Sequence, residues 1–390
     1  LAYAAVSVFW SPRPFALIDI EKLSVRSEVL RLGLLLAAGG ALMAAAHSLS
    51  DRNRVLIARI AMIGFAVQLV AVVVLSAFEQ ESIRFFYGDR PMDEGVQNIT
   101  RNALIITAAS PFLILGLVEG RSRNVTIAIA AAVLVPVIAV IIVRGVDAGL
   151  LSLAATAVLV GILHVFRRSG FRIIGGLIAL MIMIAPFLFQ AISSGANAVT
   201  ATNSMDYRQA IWQRVLTFIW DKPIFGSGVG ALRTYQEKIP EGVFAGQLYV
   251  PNHPHNMLLQ LWAETGVVGA VIVGAVVLLV AFRLPRPELI PSATPRIAAI
   301  IGGFAASWIS FDLWNEWWWG VFCLLAVLTV VHSPAPKPLP LKPAVIPTPQ
   351  LPVRTVQPHG TNNFNLLRLV FAGMVVLYHL ALLSGVPEFA

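Results

Sequence analysis

Residues 203–269 read NSMDYRQAIWQRVLTFIWDKPIFGSGVGALRTYQEKIPEGVFAGQLYVPNHPHNMLLQLWAETGVVG. They make one long polar excursion in a chain that is otherwise a succession of apolar runs. Across 390 residues, 57% are hydrophobic and 12% are charged, and the mean hydropathy is +0.79. Soluble domains carry about 25% charged residues. Half that share leaves too little polar surface for water and points to a polytopic membrane protein. Backbone amides and carbonyls find no water inside a bilayer, so the spans must be helices and the fold class is all-α.

Outward from the excursion, apolar runs recur at 29–49, 55–78, 103–118, 125–143, 146–166, 173–192, 266–282, 297–312 and 317–331. Each is near the roughly 20 residues that a bilayer core demands, or slightly shorter. Leu1–Trp10 reads as the tail of a severed membrane helix, and a last apolar run follows at 364–384. With no initiator Met, no signal peptide and an end just past a helix, the chain is expected to be a fragment. Residues 333–361 are proline-rich and read as a semi-rigid linker. Three units are therefore expected: a membrane domain over 1–332, a linker over 333–361, and the first helix of another domain over 362–390.

The loop charges assign sides. The loops at 51–54 and 119–124 each carry +1, Arg167, Arg168 and Arg172 give +3, and Arg283, Arg286, Glu288 and Arg296 give +2. Lys337, Lys342 and Arg354 add +3 in the linker. These are every second loop. The loops between them are neutral over 11–28, −2 over 79–102, and −2 from Asp312 and Glu316. Positive loops stay in the cytoplasm, so residues 193–254 are expected outside, and His164 at a cytoplasmic end. Most of the net charge of +8 sits in these loops, which makes it a topology signal; no nucleic-acid partner is expected. The one cysteine, Cys323, lies in an apolar run and has no partner for an internal disulfide.

Three groups in the excursion carry chemistry. Asp206–Trp220 has apolar residues at helical spacing, caps at Asn203 or Ser204, and a stop at Pro223, and reads as an amphipathic helix along the membrane surface. Arg208 and Trp212 share a face, while Arg214 is turned about 120° from Arg208, so the two arginines do not grip one ligand. Two readings of these arginines stay open, snorkelling to headgroups or binding an anion. Phe225–Gly230 alternates glycines; with no preceding strand it is no dinucleotide fingerprint, and it reads as a plain turn. His253 and His255 flank Pro254 where the chain enters the next helix. Either His255 caps locally, or it is a base poised near neutral pH. Two histidines without a third or fourth ligand or a cysteine do not make a zinc site, so no metal is expected. Glu264, nine residues on, lies about 180° around a continuous helix and should not meet His255 unless the helix breaks. Arg144 ends one apolar run near Asp147 on the same side as the excursion, where it either pairs locally or binds an anion.

His255-Asn-Met-Leu-Leu-Gln-Leu-Trp-Ala-Glu264-Thr-Gly266-Val-Val-Gly269 resembles the H-N-x-x-L-Q-x-x-x-E-x-G-x-x-G signature of the O-antigen ligase and polymerase family. Arg208–Trp212 with Pro223–Gly228 is similar to its R-x-x-x-W…P-x-x-G-x-G element, and Arg144-Gly145 to its S-R-G element, with Val143 in place of the serine. The resemblance implies a GT-C-like, metal-independent helical bundle with a long extracytoplasmic loop carrying short helices, and no cofactor. It would move a glycan from undecaprenyl diphosphate to a lipid A core, growing polysaccharide or protein acceptor, on the periplasmic face of the bacterial inner membrane. Arg144 and Arg208 would hold the diphosphate and His255 would serve as base. Arg214, Trp212, Gly226, Gly228, Asn256 and Glu264 are expected on the substrate side of the same site. Arg368 and His379, in Asn362–His379, resemble the first helix of the integral-membrane acyltransferases that modify polysaccharides. The competing class is a transporter or flippase of lipid-linked sugars, which should show inverted repeats and broken helices; neither is evident in the sequence.

Overall fold

The chain is described by a computed structural model, which describes residues 1–13, 18–19, 24–25, 27–87 and 92–332. The linker at 333–361 and the segment carrying Arg368 and His379 lie outside the described residues. Thirteen α-helices follow in order: α1 Ala2–Ser7, α2 Glu28–His47, α3 Asp51–Ala77, α4 Glu79–Tyr87, α5 Met92–Val118, α6 Arg123–Val143, α7 Asp147–Val165, α8 Gly170–Ile192, α9 Ser204–Asp221, α10 Met257–Arg283, α11 Thr294–Phe304, α12 Ser307–Ser310 and α13 Glu316–His332. Extended pairing among the described residues is confined to Ile18–Asp19 with Ser24–Val25 and one bridge between Lys238 and Leu248. Among the described residues, seven helices, α2, α3, most of α5, α6, α7, α8 and α10, are long and apolar enough to cross a membrane. The protein is an all-α polytopic membrane protein. Ile60, Ile63, Val67 and Val70 of α3 point outward and are exposed. Such a band suits lipid contact and not water.

One apolar core joins α3, α5, α6, α11 and α13 around Phe112, Trp318 and Leu325; a second joins α8, α9 and α10 around Ile211, Val215, Ile219 and Leu259. The amphipathic stretch is a helix, as its spacing predicts. Its apolar stripe is covered by α8 and α10, so protein and not lipid takes that face.

Two apolar runs do not form the continuous helices that their hydropathy suggests. The first break is at Gly266 in α10, with φ 63° and ψ −165°. A helix would bond Val267 N to the Ala263 carbonyl and Val268 N to the Glu264 carbonyl. Instead Ser227 N and Gly228 N donate to the carbonyls of Ala263 and Glu264 at 2.8 and 2.9 Å, while Val267 N and Val268 N donate to Pro223 and Ile224 at 2.8 and 3.2 Å. The glycine turn is thus an adapter that takes over the bonds the break releases, as an apolar environment requires. A Cβ on Gly266 would collide with the Ile224 carbonyl, and one on Gly226 with the Glu264 backbone. Gly266→Ala is expected to cost at least about 2 kcal/mol. It should appear as a lower thermal midpoint of the purified protein, whereas Gly40→Ala, where a Cβ meets open space, should change little.

The second break divides the expected 297–312 span into α11 and α12, after which Phe311 is extended. The end of α12 is set by Asp312. Its Oδ1 accepts from Trp314 N at 2.9 Å, and a side chain that binds its own local backbone competes with the helix. Gln260 Oε1 then accepts the freed Leu313 N at 2.9 Å. Tyr3 reaches the Phe225 and Thr265 carbonyls, and Ser11 the Val229 carbonyl, so the N-terminal segment closes over the adapter.

Candidate active site

The two breaks bring three pieces of chain together: α9, the 251–256 loop and the end of α12. Asn203 caps α9 by accepting from Met205 N and Asp206 N at 2.9 and 3.0 Å. Asp206, whose carboxyl is held below its ordinary value first by the Thr202 amide and hydroxyl, ties down the same turn. With its apolar stripe fixed inward, α9 sends Arg208 toward α12, where Nη1 donates to the Ile309 carbonyl at 3.3 Å. Burial pushes the Arg208 pKa down, and Asp147 works against this.

His255 has φ 51°, a left-handed conformation that an ordinary residue adopts at a cost. Two neighbours hold it there. The Pro254 carbonyl accepts from Trp212 Nε1 at 3.0 Å, and Asn256 caps α10 by accepting from Leu258 N and Leu259 N at 3.1 and 3.0 Å. His255 Nδ1 lies 3.3 Å from the Ser310 carbonyl. A carbonyl only accepts, so this contact requires the proton on Nδ1 and leaves the Nε2 lone pair free. Arg208 and His255 are therefore seated on consecutive carbonyls, those of Ile309 and Ser310. The rings of His253 and His255 are 4.3 Å apart.

Burial, then His253 and Arg208, push the His255 pKa down to about 3; burial also lowers that of His253. This burial makes His255 a neutral imidazole well above its pKa, with the Arg208 guanidinium acting on it, where the sequence suggested a base poised near neutral pH. Above pH 6.5 the ring is neutral both folded and unfolded. As pH falls below 6.5 the unfolded chain binds a proton that the folded one refuses, so stability attributable to His255 declines between there and about 3.

The other expected site residues lie elsewhere. Arg144, the C-cap of α6, makes an ion pair with Glu79 of α4, and no contact among the described residues joins it to Arg208 or His255. The expected three-way convergence is thus two-way, and Asp147, three residues past Arg144, is the group from that turn that acts on Arg208. Trp212 is 2% exposed and packs edge-on against Phe189, so it supports the histidine loop from within the core. Arg214 turns away, as the helical geometry predicts, onto the Tyr235 hydroxyl at 2.7 Å and Glu237 at 2.6 Å. Gly226 and Gly228 serve the adapter. Asn256 has its oxygen committed to the cap, and its Nδ2 is buried with no hydrogen-bond partner among the described residues.

Glu264 does not meet His255. The break falls after it, and its oxygens take Trp314 Nε1 at 2.6 Å and Gln260 Nε2 at 3.2 Å. It belongs to a buried network that sequence reasoning misses. Arg233 pairs with Glu28 and, at 2.7 Å, with Asp312; Glu28 also pairs with Arg13 at 2.8 Å; Gln260 Nε2 reaches Asp312 Oδ1 at 2.7 Å. Burial works against the charge on Arg233, but Glu28 and then Asp312 more than offset it, and its pKa is raised. Arg101 of α5 also acts on His253. The available signal is that ionisable groups within apolar runs are costly and need partners. Asp312 and Glu28 enter a sequence reading only as loop charges. Arg101, Arg208 and Arg233 around two neutral imidazoles suit an anionic ligand.

Residues 132–274 match the family described as O-antigen ligase. The chain is 24% identical over 168 residues to a Rickettsia conorii protein named "Putative polysaccharide ligase", the match covering 40% of this chain and 41% of that one. It is 26% identical over 171 residues to a protein of the same description from Rickettsia felis, again covering 40% and 41%. The matched part is thus about two fifths of the length of these curated relatives. No solved structure matches. The family stretch contains Arg144, Arg208 and His255 but not Glu28, Arg101 or Asp312.

Proposed function

We propose that this chain, which belongs to the O-antigen ligase family, transfers a glycan from undecaprenyl diphosphate to a hydroxyl acceptor at the periplasmic face of a bacterial inner membrane. The observation that carries the reading is the seating of Arg208 and His255 on adjacent carbonyls, with a free imidazole lone pair beside a guanidinium. Planar guanidinium forks match phosphate oxygens and stay charged, so Arg208, with Arg101 nearby, neutralises the diphosphate. The reading assigns that role to arginines and none to a metal. The bond from the anomeric carbon to the diphosphate oxygen breaks, the acceptor oxygen bonds to that carbon, and the hydroxyl proton goes to His255 Nε2. A diphosphate at hydrogen-bond range favours imidazolium, so binding the donor raises the basicity that burial suppresses. Negative charge on the leaving diphosphate is stabilised by groups already in place. Arg144, three residues before Asp147, is proposed to meet a more distant part of the donor.

The purified protein is to be incubated with undecaprenyl-diphosphate oligosaccharide and with lipid A core, free glycan or peptide hydroxyl acceptors, and the products weighed by mass spectrometry. The expected product has the mass of acceptor plus glycan. The second reading, transport, gains one observation: α10 and the α11–α12 pair are broken, which the sequence does not announce. The α10 break, however, is filled by the protein's own adapter. Translocation of lipid-linked sugar across vesicles, with no product for any acceptor, would favour that reading.

A pH profile tests the base. The acid limb of kcat/KM reports the free enzyme. With His255 at about 3, kcat/KM should not fall through the ordinary histidine range as pH drops from about 8 to about 5. A limb centred on the ordinary histidine value would contradict the assignment.

A further inference from the structure

The far ends of the helices that build the site carry a second feature. α7 begins at Asp147, α8 leads into α9, and α10 begins after His255; their other ends meet around Pro287. There, a small notch is lined by Arg168 just before α8, Arg172 in the first turn of α8 and Arg286 after α10, together with Phe171 and Leu284. A cavity of about 420 Å³ adjoins it and shares Pro287, with Val160, Leu163, Pro291 and Pro295 giving an apolar wall and His164, Arg167 and Glu288 the polar rim.

These arginines are exposed and only loosely engaged. Arg172 lies over the Phe282 ring at 5.5 Å, Arg286 is 3.8 Å from Glu288, and Arg168 has no hydrogen bond or ion pair among the described residues. Glu288 is the one carboxylate on either lining. A bias of positive loops accounts for arginines on this side, but not for three from two separate stretches of chain closing on one notch beside an apolar cavity.

We propose that this is a binding site for an anionic phospholipid of the cytoplasmic leaflet. Its phosphate is held by Arg168, Arg172 and Arg286, and its glycerol and first acyl carbons lie along Val160, Leu163 and the prolines. Basic pockets between membrane helices on the cytoplasmic side suit such headgroups, and the apolar wall distinguishes a lipid from a soluble phosphate. Because the three helices run from this notch to the candidate site, an occupant here braces the far end of the bundle.

The test is native mass spectrometry of the full chain in detergent, with phosphatidylglycerol and phosphatidylcholine offered at equal concentration. Phosphatidylglycerol should be retained preferentially. Roughly fivefold per arginine, the triple variant Arg168→Gln/Arg172→Gln/Arg286→Gln should bind it about 100-fold more weakly and lose the preference. Arg121→Gln/Arg123→Gln, on a basic loop of the same side outside this notch and cavity, should bind as the unaltered protein does. If the glutamine triple is not monodisperse, the corresponding lysine triple, which keeps the charge and loses the forks, should bind with intermediate strength. The proposal is overturned by a glutamine or lysine triple that binds as well as the unaltered protein. It is also overturned by an equal loss in the Arg121/Arg123 variant, or by inorganic phosphate displacing the lipid as effectively as glycerophospholipid does.

Discussion

Replacing Arg208 with alanine should lower glycan transfer by about 10²–10³-fold while leaving insertion and thermal midpoint nearly unchanged. The magnitude is that of removing one positioned donor from a developing anion. The fold survives because Arg208 gives the protein only one long hydrogen bond, to Ile309. Lysine at this position keeps the charge and loses the fork, so Arg208→Lys should recover only part of the activity. His255 needs a different substitution. At φ 51° alanine adds strain, whereas asparagine tolerates the left-handed region, so His255→Asn removes the base without disturbing the turn. A loss of about 10²–10⁴-fold is expected for a general base. The double variant should be little worse than the weaker single, because groups that act in one step are not additive. A double variant with full activity would remove the assignment altogether.

The membrane helices are legible in the sequence because hydropathy and length are local properties. α2, α3, α6, α7 and α8 begin and end within a few residues of their apolar runs. α9 is legible through its caps and its stripe. What the sequence conceals is where an apolar run stops being a helix. Gly266 looks like any glycine in such a run; its role depends on a turn some forty residues upstream that supplies the missing hydrogen bonds. The same turn, Pro223–Gly228, reads as a plain turn from its glycines and is placed on the substrate side only by the family resemblance. Trp212 misleads for a related reason. Sharing a face with Arg208 does not make both ligands, since one turn of helix carries Arg208 to the edge of the core and Trp212 into it. The Arg208–His255 pairing is suggested by resemblance and given geometry only by α12, which the local bonding of Asp312 ends after Ser310.

That dependence makes Arg233 the position where the largest loss of stability is expected. Arg233→Met should lower unfolding stability by about 3 kcal/mol, because removing one member of a buried ion network leaves its partners charged and unpaired. Glu28 is 3% exposed and Asp312 6%, so neither carboxylate can turn to water. The figure sits at the low end of the usual range since Arg13 still answers Glu28. Asp312→Asn should cost less, about 1–2 kcal/mol. An amide oxygen can still accept from Trp314 N and Gln260, which preserves the turn that ends α12, and only the pairing with Arg233 weakens. Asp312→Leu removes those acceptors as well and should approach the cost of Arg233→Met. Two outcomes separate a bracing role from a direct one. If the network only braces, Asp312→Asn moves the Ile309 and Ser310 carbonyls slightly and raises KM for the lipid donor more than it lowers kcat. If Asp312 itself touched the reacting groups, kcat would fall by orders of magnitude with stability intact. Chemical unfolding of the three variants, read beside their steady-state kinetics, decides between the two, and a ranking in which Asp312→Asn is as unstable as Arg233→Met would show that charge, not the turn, holds the α12 carbonyls in place.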